Sequence, residues 1–122
     1  MMERYRWLDE YLQEQPAAQK EFQPAWQAYK YSLRGKMFAY IGINDQNGRP
    51  IITVKLEPVH SDLLRREYAD IVPGYYMNKV HWSSVYLDGK VPRDVLENIV
   101  RSAHRTLLLS LSKKAQREIA GE

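Results

Sequence analysis

Apolar residues are spaced in two different ways along this chain. Near the start, Tyr5, Leu8, Tyr11 and Leu12 fall at helical intervals, which sets them on one face of a helix of about a dozen residues. Pro16 ends that helix, and PAAQKEFQP reads as a polar connector closed by Pro24. From Trp26 the spacing shortens to that of strands. WQAYKYSL and KMFAYIGI flank Arg34-Gly35, and KMFAYIGI and PIITVKL flank NDQNGR, whose Asn47-Gly48 is a strong hairpin signal. A three-stranded antiparallel meander is the expected result.

Two-residue turns at both sites predict a register. Leu33 falls opposite Lys36, Tyr31 opposite Phe38, Tyr29 opposite Tyr40, Tyr40 opposite Lys55, and Ile41 opposite Val54. Alternation of side chains then gives one apolar face of Trp26, Ala28, Met37, Ala39, Ile41, Ile43, Ile52, Val54 and Leu56, expected beneath helices, with Lys30 out of place among them. The other face carries Tyr29, Tyr31, Leu33, Lys36, Phe38, Tyr40, Thr53 and Lys55, and is aromatic and basic.

Downstream, SDLLRREYA predicts a short helix with Ser61 as its N-cap and Leu63, Leu64 and Tyr68 turned inward. A short strand is expected over residues 75–79. A further strand, WSSVYL, sends Val85 and Leu87 to the core and adds Trp82 and Tyr86 to the aromatic, basic face. Pro92 opens a last helix with a stripe of Leu96, Ile99, Val100, Ala103, Leu107 and Leu111. The order α-β(3)-α-β(2)-α predicts an α+β two-layer sandwich, an antiparallel sheet with helices on one face. Residues 1–112 are expected to form one domain and residues 113–122 a charged, frayed tail.

Composition narrows the chemistry. The 122 residues include no cysteine, which excludes disulfides, thiolate zinc sites and a cysteine nucleophile and fits a reducing cytoplasm. The longest apolar run, Leu107-Leu108-Leu109, is far short of the roughly 20 residues of a membrane span, so a soluble cytoplasmic protein with no membrane partner is expected. Net charge is +3, and the excess is concentrated in residues 26–56, where Lys30, Arg34, Lys36, Arg49 and Lys55 face Asp45 alone. Enzyme chemistry finds no foothold. His60, His81 and His104 lack metal-ligand spacing, no glycine-rich phosphate loop is present, and Ser83 and Ser84 have no positioned acid beside His81. No catalytic residue, metal or cofactor is expected.

Two blocks carry a family resemblance. GKMFA at residues 35–39 and, more specifically, PGYYMNKVHWSSV at residues 73–85 resemble the MmcQ/YjbR family of small bacterial proteins. The family pattern runs close to Pro-Gly-Tyr-His-Met-Asn-Lys-basic-His-Trp, and Pro73, Gly74, Tyr75, Met77, Asn78, Lys79, His81 and Trp82 match it. YLDGKVP, Ser102 and Lys55 also fit, and the resemblance covers roughly residues 5 to 112. Tyr76 and Val80 depart from it, the latter removing a cation beside Lys79. The resemblance implies the same α-β(3)-α-β(2)-α fold, no catalytic activity, and a DNA-binding role in which two β-hairpins act as a double wing.

The residues give that role a contact set. Arg34, Lys36, Lys55 and Lys79 would neutralise phosphates, while His81 and Trp82 would add a directional contact and a stacking plane. Tyr29, Tyr31, Phe38, Tyr40 and Tyr86 form a candidate interaction face, suited either to bases or to a protein partner or second copy. A third reading is a small-ligand pocket beneath the 71–82 loop, lined by Tyr75, Asn78 and His81.

Overall fold

The computed structural model describes residues 2–74 and 77–121. Helix α1 (Arg6–Glu14) follows a short 3-10 turn and fully buries Leu8 and Leu12, the pair that its spacing sets on one face. Each such side chain contributes about 1.5–3 kcal/mol. Six strands follow in two groups: β1 (Gln19–Gln23), β2 (Ala28–Leu33), β3 (Lys36–Asn44) and β4 (Arg49–Lys55), then β5 (Ile71–Pro73) and β6 (Trp82–Tyr86). They form one sheet in the order β1-β2-β3-β4-β6-β5, with every neighbouring pair antiparallel. Between the groups lies α2 (Pro58–Glu67); α3 (Arg93–Ser110) and α4 (Lys113–Ala120) complete the chain. The architecture is the α+β sandwich expected, with one strand more than the meander.

The Arg34-Gly35 turn forms as predicted. Both residues have positive φ, 52° and 79°, as a two-residue hairpin turn demands, and Leu33 pairs with Lys36. The register then slips. Ser32 pairs with Met37, but Tyr31 pairs with Ala39, so Phe38 is an extra residue in β3. This bulge reverses the parity of everything upstream in β2. Tyr29 and Tyr31 fall opposite Ile41 and Ala39, and Phe38 itself is buried in the main core. The expected placement of Tyr29, Tyr31 and Phe38 on an open face is therefore wrong. Leu33 also belongs to the main core, while Ala28 and Met37 pack with Tyr40 on the opposite face. Lys30, awkward in the predicted register, pairs with Tyr40 in the ladder and lies 3.7 Å from Glu21.

The second hairpin closes with four residues rather than two. Asn44 pairs with Arg49, and Gly48 N donates to Asn44 O at 2.7 Å. Ile41 thus meets Ile52 and Tyr40 meets Thr53, two residues away from the predicted partners. A shift of two preserves parity, so Ala39, Ile41, Ile52, Val54 and Leu56 stay on the covered face as expected.

One apolar core joins that face to all four helices, through Leu8 and Leu12 of α1, Leu64 of α2, Leu96, Ile99, Val100, Ala103 and Leu107 of α3, and Ile119 of α4. α2 begins at Pro58, earlier than expected, so Ser61 is not its cap but a buried residue within it, and Leu63 is exposed. Residues 113–120 form a helix capped by the Ser112 hydroxyl, which accepts from Ala115 N at 3.1 Å; they are not a frayed tail. His104 is buried, its ring 5.6 Å from Phe38 edge-on and its Nε2 2.8 Å from Pro16 O. No helix among the described residues is long and apolar enough to cross a membrane.

Candidate nucleic-acid interface

Residues 77–79 do not form the expected strand. β5 ends at Pro73, Tyr75 and Tyr76 lie outside the described residues, and residues 77–81 form a turn that re-enters the sheet at Trp82. Asn78 organises the turn. Its side-chain oxygen accepts from Val80 N at 2.9 Å and its carbonyl from Trp82 N at 2.9 Å. Gly74 sits where β5 and β6 meet, donating to Trp82 O at 2.9 Å. A Cβ there would lie 3.0 Å from Trp82 Cβ and 3.1 Å from Trp82 O, so a larger residue would have to push β6 away by a few tenths of an ångström, and glycine suits this approach.

The residue that fastens this turn is Arg65 of α2. One guanidinium nitrogen donates to Lys79 O at 2.6 Å and to Trp82 O at 2.7 Å, and Nε donates to Ser83 Oγ at 3.0 Å. Ser83 in turn donates to the buried Ser61 Oγ at 3.2 Å. No feature of LLRRE separates Arg65 from Arg66, which makes an exposed pair with Asp62 at 2.9 Å. Only the fold tells the two arginines apart.

The predicted contacts separate into two classes. Trp82 is 8% exposed and offers no open stacking plane. Arg34, at its turn, lies 3.5 Å from Glu118 of α4. His81 is half-buried, its carbonyl accepting from Leu56 N at 2.8 Å. By contrast Lys36 and Lys79 are exposed and Lys55 is half-buried. β3 starts at Lys36, β4 ends at Lys55, and Lys55 pairs with Trp82 at the start of β6, so the backbones of Lys36 and Lys55 lie at one end of the sheet, with Lys79 in the turn that leads into β6, lining a hollow with Val72, Pro73 and Tyr86.

The opposite end is closed. Arg49 Nε donates to Asp88 at 3.0 Å, its guanidinium lies 3.6 Å from Asp70, and it stacks 3.8 Å over the Tyr86 ring. The hydrogen bond from Arg49 to Asp88 raises the arginine's pKa further. Asn44 and Asn47 both donate to the Tyr86 hydroxyl, at 3.1 and 3.0 Å. The second hairpin tip is thus a latch onto β6 rather than an open wing.

Between the two ends, the open face is only partly covered. Tyr40 is 7% exposed, and burial raises its pKa, with the charge of Asp45 adding to the rise and a hydrogen bond with Thr53 opposing it. Thr53 Oγ1 and Ser84 Oγ are 2.7 Å apart beside it. Trp26, expected under the helices, instead stands on a 3-10 turn, 46% exposed, with its ring 5.6 Å from that of Tyr40. A cleft of about 670 Å³ opens here, lined by Trp26, Tyr40, Gly42, Ile43, Asp45 and Met77 among others. It is not the pocket predicted. Met77 reaches it, but Asn78 and His81 do not line it, and Tyr75 lies outside the described residues.

A model of the YjbR family matches residues 13–106, a span that includes all six strands and the Asn78 turn. The chain belongs to the YjbR family. The uncharacterised protein YjbR of Escherichia coli K12 is 30% identical over 98 residues, which cover 80% of this chain and 81% of that one. The uncharacterised protein YbdF of Escherichia coli O157:H7 is 31% identical over 98 residues, 80% of this chain and 77% of its own. Among solved structures, a Deinococcus radiodurans protein with a DUF419 domain superposes with a TM-score of 0.78 at 26% identity, covering 93% of this chain and 85% of that one. A Pseudomonas syringae protein shares the fold at a TM-score of 0.68 and 22% identity, over 83% of this chain and 96% of its own. The resemblance carried by residues 73–85 is therefore one of family, and the YjbR fold is the sheet and helices described above.

Proposed function

We propose that this YjbR protein is a non-enzymatic DNA-binding protein of the cytoplasm, gripping phosphates with Lys36, Lys55 and Lys79. One observation supports the reading above the others. Among the cations of the strands, the hairpin turns and the turn before β6, Lys20, Lys30, Arg34 and Arg49 each stand within 4 Å of an acid, whereas these three lysines form no ion pair among the described residues. Cations gathered at one end of a sheet and left without acids suit a partner that brings its own negative charge. A chain without cysteine fits the cytoplasm. The burial of Trp82 favours phosphate contacts over base stacking in this reading, so little preference between sequences is expected.

Titration of duplex and single-stranded DNA across a salt series tests this. Three neutralised phosphates on duplex DNA give a slope of log K against log salt of about −2.7. Affinity undetectable at low salt, or independent of salt, would sink the proposal. A second reading, a contact with a protein or a second copy, is favoured by the exposure of Trp26 and Ile43 beside the cleft. Sedimentation velocity over a hundredfold concentration range separates the two; a pure monomer counts against a homodimer.

A further inference from the structure

The cleft on the open face lies apart from the lysines and differs from them in chemistry. Its volume, about 670 Å³, is that of a small-molecule site. Trp26 and Tyr40 meet at 52° with centroids 5.6 Å apart, forming a corner of two aromatic rings. Met77 adds a polarisable apolar side chain, Gly42 opens the floor, and Asp45 is the one charged residue of the lining among the described residues. Gln27, directly after Trp26, holds a left-handed backbone at φ 50°, and its backbone N–H and side-chain amide both donate to Pro24 O at 3.2 Å, which closes the turn that presents the indole. The carboxylate of Asp45 acts on the cleft wall, since its charge contributes to the raised pKa of Tyr40.

We infer that this cleft binds a small organic cation, of the alkylated ammonium class, with the charged group in the Trp26–Tyr40 corner and Asp45 supplying the counter-charge. The faces of Trp and Tyr rings attract a cation, most strongly where water is partly excluded. An anion gains nothing here: no basic side chain among the described residues lines the cleft, and Asp45 repels it. The cleft thus discriminates against phosphate, the ligand proposed for the lysine end, and the two sites are independent.

Choline chloride and neohexyl alcohol, in which a tert-butyl group replaces the trimethylammonium, provide the test at constant ionic strength. Two-dimensional NMR follows the Trp26 indole N–H and the Met77 methyl group. Choline is expected to shift both saturably and to bind about three- to thirtyfold more tightly than the neutral isostere, the range of a cation–π contact. Trp26→Ala and Asp45→Asn, both at exposed positions, are each expected to weaken choline at least threefold while leaving the remaining spectrum unchanged. Absence of saturation at Trp26 and Met77, equal affinity for the alcohol, or unweakened binding by both variants overturns the inference.

Discussion

The two faces of the sheet carry similar residues to different ends. Each has a buried tyrosine in its centre strands. On the covered face Tyr31 is fully buried under the helices and donates to Asp9 of α1 at 2.6 Å, while Lys20 lies 2.9 Å from the same carboxylate. On the open face Tyr40 is almost as buried, yet no helix covers it; its neighbours are Trp26 on an irregular turn and the side chain of Met77. Regular elements close one face completely, and irregular segments close the other only in part. The gap left on the open face is the cleft. Lys55 falls on that face at one end of the sheet, while Lys36, paired with the core residue Leu33, falls by parity on the other.

That contrast breaks first at Trp82. By strand parity it belongs to the open face, beside Lys55, yet its burial predicts the energetics of a core residue. Trp82→Ala is expected to cost about 3–5 kcal/mol, measured by denaturant unfolding. A cost below about 1 kcal/mol would mean that the indole is presented to a partner, and the stacking role would return.

Arg65 comes next. Arg65→Met keeps the length of the side chain but leaves the Lys79 and Trp82 carbonyls and Ser83 without their donor. Unsatisfied groups of this kind cost about 1–3 kcal/mol. Amide exchange of Val80 and Trp82 should accelerate more than that of β3, because the fastening is local. Uniform acceleration throughout the sheet would show that Arg65 is not specific to the turn.

On the covered face, Tyr31→Phe removes the hydrogen bond to Asp9 and is expected to cost about 1–2 kcal/mol. The same residue sets an alkaline limit. Burial first, then the hydrogen bond and charge of Asp9, raise its pKa above the ordinary value of 10.0. The unfolded chain therefore loses this proton at a lower pH than the folded protein. Its contribution is fully present below the unfolded pKa and is lost as pH rises from there toward the folded value. Unfolding measured from pH 8 to pH 11 should decline less steeply above about pH 10 in Tyr31→Phe than in the parent. Parallel profiles would refute this assignment.

How far the sequence reveals these faces depends on one residue. Periodicity locates α1, β2 to β4, β6 and α3 because each buries a regular stripe. β1 escapes it, since QKEFQ at the sheet edge is exposed at four of its positions and shows no alternation. α4 escapes because its stripe reduces to Ile119 among charges. The four-residue loop at 45–48 moves every partner in β4 by two yet leaves the faces intact. Phe38 does the opposite: a bulge of one residue exchanges the faces of all β2, and nothing in KMFAYIGI marks it. The family signature at residues 73–85 identifies where to look, but side-chain roles there depend on Arg65, distant in sequence and ordinary in context.

The smallest stability change sharpens the comparison most. Lys36→Gln, Lys55→Gln and Lys79→Gln remove charges that hold nothing within the described residues, so each should change stability by less than about 0.5 kcal/mol. Arg49→Gln, at the other end of the sheet, should lower Tm clearly, because Arg49 joins Asp88, Asp70 and Tyr86. Binding should reverse that ranking. Each lysine substitution is expected to reduce the slope of log K for duplex DNA against log salt by about 0.9, and the triple variant to abolish salt-dependent binding. Arg49→Gln should leave the slope unchanged at temperatures where it is folded. If Arg49→Gln lowers the slope as much as Lys79→Gln does, the closed end also meets phosphate, and the division of the sheet's two ends into a latch and a grip fails.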